Sequence, residues 1–470
     1  MNKEKKLLKN TVIIGIGKIC TSLITFLLLP LYTGVLSTSE YGIVDLLTTL
    51  VSLLIPIITL KLEDALFRRL IDYRTDEEKT KKIISTAIIT IMLQIISFVF
   101  IFLIIQCLIN NEYKFFLLSN VIIYIILSFL QQTARGLGKI TEFSIGSFIS
   151  AVSTIIFNIL LLVVIPMHAY GMLLGTFLGQ FIACIYFAIK INIIKYIDLK
   201  AASKSLLKNM LKYSIPLIPN ALSWWIFSAS DRVIVSYIMG VDFNGILAAS
   251  LKFSSVIIIL YNIFDMSWIE SVSSNINEND FEKYFNKMFN IIFNFFASIC
   301  LLAIVVMPIV YPIMINEKFS FGYVLVPITL ISSIFNVGQG MVAVVYAAKN
   351  NTKSLAKTSV ASAIVNIIIH LSLISYIGLF AAVISTLVSM LSLFIYRIVD
   401  IRRKYIKISI NTKLVLLYII ILAICLLCYY TNNIYLNIIS MIIGILYFVL
   451  SNKNTFKTIT GFVLKKIKVK

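Results

Sequence analysis

Long uninterrupted apolar runs, one after another along the chain, leave it few ways to fold. The stretch "IISTAIITIMLQIISFVFIFLIIQCLI" (83–109) is too long for a strand and too uniformly apolar for a soluble helix with one wet face. Runs of about 20 residues match a helix crossing roughly 30 Å of hydrocarbon. Strands of a membrane barrel would be half as long and would alternate. Composition agrees, with 60% apolar and 13% charged residues and a mean hydropathy of +0.98. We therefore expect an all-α polytopic membrane protein.

Apolar runs and their polar breaks give about 14 transmembrane helices, near 10–33, 42–66, 83–109, 115–134, 142–165, 170–190, 213–239, 245–267, 289–311, 322–347, 358–376, 379–396, 414–430 and 434–451. The basic amino terminus imitates a signal peptide, but no small-x-small cleavage site follows, so the first run reads as a retained span. Lysine and arginine test this count, because cytoplasmic loops are enriched in them. With both termini inside, 35 of the 41 basic residues fall on inner segments and two, Lys114 and Lys318, on outer loops. Lys18, Lys61, Arg232 and Lys252 fall inside spans. The net charge of +20 is thus an inner-surface bias toward anionic membrane lipids, not a nucleic-acid footprint.

Two stretches repeat. "SEYGIVDLL" (39–47) enters the second span and "DFNGILAAS" (242–250) the eighth, matching Gly42 with Gly245. Asn158 and Gly171 bridge the fifth and sixth spans, as Asn366 and Gly378 bridge the eleventh and twelfth. This predicts two pseudo-symmetric six-helix lobes, 1–191 and 213–397. An even span number gives both lobes one orientation, the parallel-repeat plan of transporters. Between them, 192–212 carries Lys200, Lys204, Lys208 and Lys212 on one stripe and reads as an amphipathic cytoplasmic linker. Residues 398–470 add two C-terminal helices and a basic cytoplasmic tail.

Charges inside spans are costly and are functional candidates by default. In "WWIFSASDRVIVSYIMG" (224–240), Trp225, Ser228 and Arg232 share a small, polar helix face. Asp231 points about 100° away and reads as a partner for a neighbouring helix. Lys252 in the eighth span and Lys18 in the first lie on similar faces, and the second span offers Asp45 among threonines and serines. We expect these four spans to line one cleft, with Arg232, Lys252, Lys18, Trp225 and Ser228 binding substrate. Asp231, Asp45, Asp265, Glu63 and Asp64 are the candidates for coupling or gating, with H⁺ or Na⁺ coupling left open. Lys61, Glu63 and Asp64 near an inner span end also fit snorkelling, and His370 fits a packing histidine.

No catalytic, metal or cofactor site is expected. "RGLGKIT" (135–141) lacks the first glycine of a phosphate loop and has Ile140 where serine or threonine should stand. "CLLC" (425–428) has no second ligand pair. The six cysteines all fall in apolar runs, so disulfides are not expected.

"LLPLYTGVLSTSEYGIVDLLTTL" (28–50), "YSIPLIPNALSWWIFSASDRVIVSYIMGVDFNGILAASLKF" (213–253) and the paired Asn-to-Gly patterns resemble the polysaccharide transporters, or Wzx-type oligosaccharide flippases, of the multidrug/oligosaccharidyl-lipid/polysaccharide superfamily. The resemblance covers essentially the whole chain. It implies translocation of undecaprenyl-diphosphate-linked oligosaccharide, O-antigen or capsular, across a bacterial plasma membrane by alternating access, alongside a polysaccharide polymerase and chain-length machinery. A multidrug antiporter and a lipid II flippase are the alternatives in the same superfamily. A membrane polysaccharide polymerase or glycosyltransferase is the alternative from another class, disfavoured by short outer loops.

Overall fold

The structure, a computed structural model, describes residues 26–107, 112–349 and 351–453. Among the described residues there is no strand. The chain divides into two compact units, Met1–Gly245 and Ile246–Lys470.

The first unit holds α1 (Leu29–Val35), α2 (Thr38–Thr59), α3 (Leu62–Tyr73), α4 (Glu77–Ile105), α5 (Lys114–Gly136), α6 (Ile140–Ile159), α7 (His168–Ile191), α8 (Lys204–Ser214) and α9 (Ile218–Ile238), and ends in the first turn of α10 (Val241–Asn275). The second holds the rest of α10, then α11 (Phe281–Met314), α12 (Val326–Ala348), α13 (Thr352–Ile377), α14 (Leu379–Lys404), α15 (Thr412–Tyr430) and α16 (Ile434–Ser451). Twelve helical stretches among the described residues are long and apolar enough to cross a membrane. The chain is a multi-pass, all-α membrane protein. Of the other two expected spans, the first lies largely outside the described residues. The seventh is α9, whose 21 residues reach about 31 Å at 1.5 Å each.

Small residues set how closely helices approach, as packing in lipid demands. On α7, Gly171, Gly175 and Gly179 recur every fourth residue; Gly171 faces Leu161, just after α6, a Cβ on Gly175 would overlap Asn158 Oδ1 of α6, and one on Gly179 would overlap Thr154. In the second unit, Ser362 of α13 donates to the Ser389 carbonyl of α14 at 2.9 Å. Asn366 reaches Thr386 Oγ1 at 3.2 Å. The two repeat-matched asparagines, Asn158 and Asn366, are thus both buried in a helix seam.

The sequence pattern and the structure differ at three places. The second span does not run to residue 66, because Leu60 and Lys61 take left-handed φ values of 52° and 57° and end α2 at Thr59. Lys61, Glu63 and Asp64 therefore sit on a turn and on the start of α3 rather than within the span. In the linker, only Lys204–Ser214 is α-helical. Its apolar side is turned to protein, with Met210 fully buried in a cluster with Leu62, Leu66 and Ile84. The chain before it is pinned to the start of α4 by Lys195 with Glu77 at 2.7 Å and Lys81 with Asp198 at 3.3 Å. Those contacts hold the Glu77 and Asp198 carboxyls below the ordinary range, through the bonded lysines first. The third difference is Arg397, which belongs to α14 and is 1% exposed, not part of an inner loop.

Candidate functional site

The close crossing that positions the site begins at the amino-terminal end of α2. Ser37 caps this helix and exchanges hydrogen bonds with Glu40. One turn on, Gly42 meets the first turn of α10 so closely that a Cβ would overlap the Val241 carbonyl oxygen, and a Cβ on Gly245 would overlap that of Thr38. Asn244 Nδ2 donates to the Gly42 carbonyl at 2.8 Å, and Thr38 Oγ1 donates to Asp242 Oδ1 at 2.8 Å. The glycines matched by the sequence repeat thus pack on each other.

From this crossing α2 and α9 run side by side, and their facing polar residues meet. Arg232 Nε lies 3.1 Å from Asp45 Oδ2, and Arg232 Nη1 donates to Thr49 Oγ1 at 3.4 Å. Trp225 Nε1 donates to the Thr49 carbonyl at 3.0 Å. The Arg232 side chain is 23% exposed, that of Asp45 only 9%, so the guanidinium stands in front of the carboxylate. Tyr41, one turn from Asp45, and Tyr32 of α1 are buried beside them. Tyr32 Oη accepts from Asn158 Nδ2 at 3.0 Å. Such a constellation holds one cation with an open edge among polar partners.

The remaining candidates distribute as follows. Lys18 lies outside the described residues. Ser228 is on α9, nearly three turns into the helix, and Asp231 is half-buried beside Arg232. Lys252 is half-buried on α10, in the second unit. Asp265 accepts from Tyr261 Oη at 2.8 Å. Glu63 and Asp64 gather on Lys61, at 3.5 Å and 2.8 Å. Gln132 Nε2 adds a bond to Asp64 at 3.3 Å, and Arg135 bonds Gln132 at 3.0 Å. Burial lifts the Glu63 carboxyl above its ordinary value against the pull of Lys61. Lys61 itself is held above the usual lysine range, its bond to Asp64 and the Glu63 charge together outweighing the opposing effect of burial. Among the described residues no group of three or more histidine, cysteine or acidic side chains is placed to hold a metal.

Sequence reasoning missed Arg397. Its Nε and Nη2 donate to Thr358 Oγ1 at 3.2 and 3.0 Å, Nη2 also to Ser359 Oγ at 2.9 Å, and Nη1 to Gln339 Oε1. The side chain ties α12, α13 and α14 together. The clue was periodicity: Met390, Leu393, Phe394, Arg397, Ile398 and Ile401 form one buried stripe, which the charges of "RIVDIRRK" obscured.

Solved structures share this fold of membrane helices. An inward-facing multidrug resistance MATE family transporter of the MOP superfamily superposes with a TM-score of 0.68 at 12% identity, over 83% of this chain and 98% of that one. The lipid II flippase MurJ, in an inward closed conformation, gives 0.71 at 17% identity over 96% and 99%. No match is found among curated proteins. The family model described as "Polysaccharide biosynthesis protein" matches residues 7–270, more than half the chain. The protein belongs to that family and shares the fold of these MATE and MurJ structures.

Proposed function

We propose that the protein carries undecaprenyl-diphosphate-linked oligosaccharide repeat units from the inner to the outer leaflet of a bacterial plasma membrane, by alternating access and with both termini cytoplasmic. The observation that carries this reading is Arg232. It is a permanently charged fork on a membrane helix, partly exposed, with a buried carboxylate behind it. A lipid diphosphate cannot enter hydrocarbon charged and unpaired, whereas a guanidinium recognises phosphate oxygens two at a time. A carrier of cationic drugs would be served by an exposed acid, and here the acid is the buried member of the pair. The membrane potential helps an anion outward, by about 2.3 kcal/mol per charge per 100 mV. Family membership and the MurJ likeness support a lipid-linked glycan as cargo.

The test measures surface polysaccharide and protein amount together in cells carrying variants. Arg232→Ala is expected to abolish surface polysaccharide at normal protein abundance, and Arg232→Lys to keep part of it, since charge survives without the fork. Deletion is expected to leave complete lipid-linked repeat units on the inner leaflet. Repeat units lacking one sugar would point to a transferase, and accumulated lipid II to the other flippase reading. Loss of protein in proportion to loss of activity in Arg232→Ala would make the pair structural.

A further inference from the structure

The ion pair on Arg232 has the features of a contact made to be exchanged. It is a one-point pair, Nε to Oδ2 at 3.1 Å, and neither atom completes an aligned hydrogen bond. The guanidinium therefore spends its geometry poorly on Asp45. A phosphate ligand that accepts two parallel bonds and carries more charge would hold it better. The α2–α9 seam has a second tie besides the pair, Trp225 Nε1 donating to the Thr49 carbonyl at 3.0 Å. The pair can open without parting the helices.

Opening it strands a buried carboxylate. Asp45 is 9% exposed, and a carboxylate so placed, deprived of its cation and next to an arriving anion, is too costly to keep charged. Among the described residues, Arg232 on α9 and Tyr41 on its own helix stand within electrostatic reach of Asp45, with Tyr32 of α1 next to Tyr41. Asp231 follows on α9 about 100° round from Arg232. None of these described groups supplies a replacement positive charge.

We infer that Asp45 is a proton-exchanging latch on Arg232: its carboxylate occupies the guanidinium in the empty carrier, and when a lipid diphosphate takes Arg232 the displaced carboxylate takes up one proton from water. This rests on the reading of Arg232 as the holder of the diphosphate. The carboxylate becomes a neutral acid, no other bond is made or broken, and the proton crosses with the load, offsetting one of its negative charges. On release Asp45 gives up the proton and closes on Arg232, so the empty carrier returns with a neutral pair. The latch also selects cargo, since only an anion stronger than a carboxylate opens it.

The experiment uses the purified full chain in lipid nanodiscs and undecaprenyl diphosphate without sugar as the probe. Binding is followed from pH 6 to 8 together with net proton uptake in weak buffer. For the wild type, uptake is expected to exceed that of Asp45→Asn by about one proton per bound ligand, and affinity to rise with falling pH by up to about tenfold per unit more steeply than in the variant. Asp45→Asn retains the protonation of the diphosphate itself and so serves as the subtraction. It is expected to bind more tightly than wild type at pH 8. Should Asp45→Asn fold poorly, Asp45→Glu is expected to keep the extra proton. Equal uptake and equal pH slopes in wild type and Asp45→Asn, with Arg232 still required, overturn the latch alone, as does wild-type uptake no greater than the free diphosphate's own protonation. Undecaprenyl diphosphate binding as well to Arg232→Ala as to wild type overturns the reading of Arg232 itself.

Discussion

Arg232 and Arg397 are the same side chain in two opposite settings, and the difference predicts opposite phenotypes. Arg397 is 1% exposed, and its bonded acceptors, the hydroxyls of Thr358 and Ser359 and the amide oxygen of Gln339, are neutral. Removing it strands those oxygens in a dry seam, at about 1–3 kcal/mol for each left unsatisfied. Arg397→Ala is therefore expected to lower the melting temperature in detergent by many degrees and to deplete the protein. Arg232→Ala, whose side chain is 23% exposed, is expected to leave the melting temperature near that of wild type while removing activity. A thermal shift on both purified variants checks this, and equal losses would contradict it. Arg232 stood out in the sequence because apolar and small residues surround it. Arg397 did not, because it opens a charge run, and only the three-and-four spacing of its buried neighbours marks it as interior.

At the scale of helices, the sequence repeat was visible but its meaning was not. Matched glycines and asparagines show that two stretches are alike; they do not say whether the likeness is a binding motif or a packing one. In the structure Gly42 and Gly245 are where two backbones touch, and Asn158 lies against Gly175 in the α6–α7 seam. Asn366 bonds the hydroxyl of Thr386 in the α13–α14 seam. The pattern is thus largely the signature of close helix approach. At Gly245 an added side chain meets the Thr38 carbonyl, which belongs to backbone and cannot swing aside as a side chain can. Gly245→Val is expected to cost more than the usual 1–3 kcal/mol of overpacking, read as lost protein or a lower melting temperature. Gly34, whose added Cβ would meet nothing within 4 Å, is the control, and Gly34→Ala should be silent. The break after α2 was illegible for a different reason: Leu60 and Lys61 are not turn formers, and their left-handed backbone is accompanied by a long-range bond from Gln94 Nε2 to the Thr59 carbonyl at 3.2 Å and a local Lys61 pair with Asp64 at 2.8 Å.

At the scale of the whole molecule, membrane helices were legible because hydrocarbon thickness imposes their length, and the inside-to-outside charge bias because lipid and potential impose it. That bias is a prediction about orientation that the helices alone do not test. Single cysteines in a background lacking the native ones give the measurement. Lys318 is exposed in the connection between α11 and α12, and Lys114 stands half-exposed at the start of α5. Both should react with an impermeant maleimide in intact cells as Lys318→Cys and Lys114→Cys. Lys204 and Lys353 are exposed at the starts of α8 and α13, on segments where the basic residues cluster. Lys204→Cys and Lys353→Cys should react only after permeabilisation. Moving Arg397 into the second unit's interior takes one charge from the inner tally and leaves 34 against two, so the expected orientation stands. The α8 pair of outcomes is the more stringent, because α8 has its apolar side against α3 and α4 rather than lipid, and its lysines are therefore open to water. Labelling of Lys204→Cys from outside would invert the expected orientation, place Arg232 toward the cytoplasmic leaflet, and contradict the proposed outward carriage of an anion.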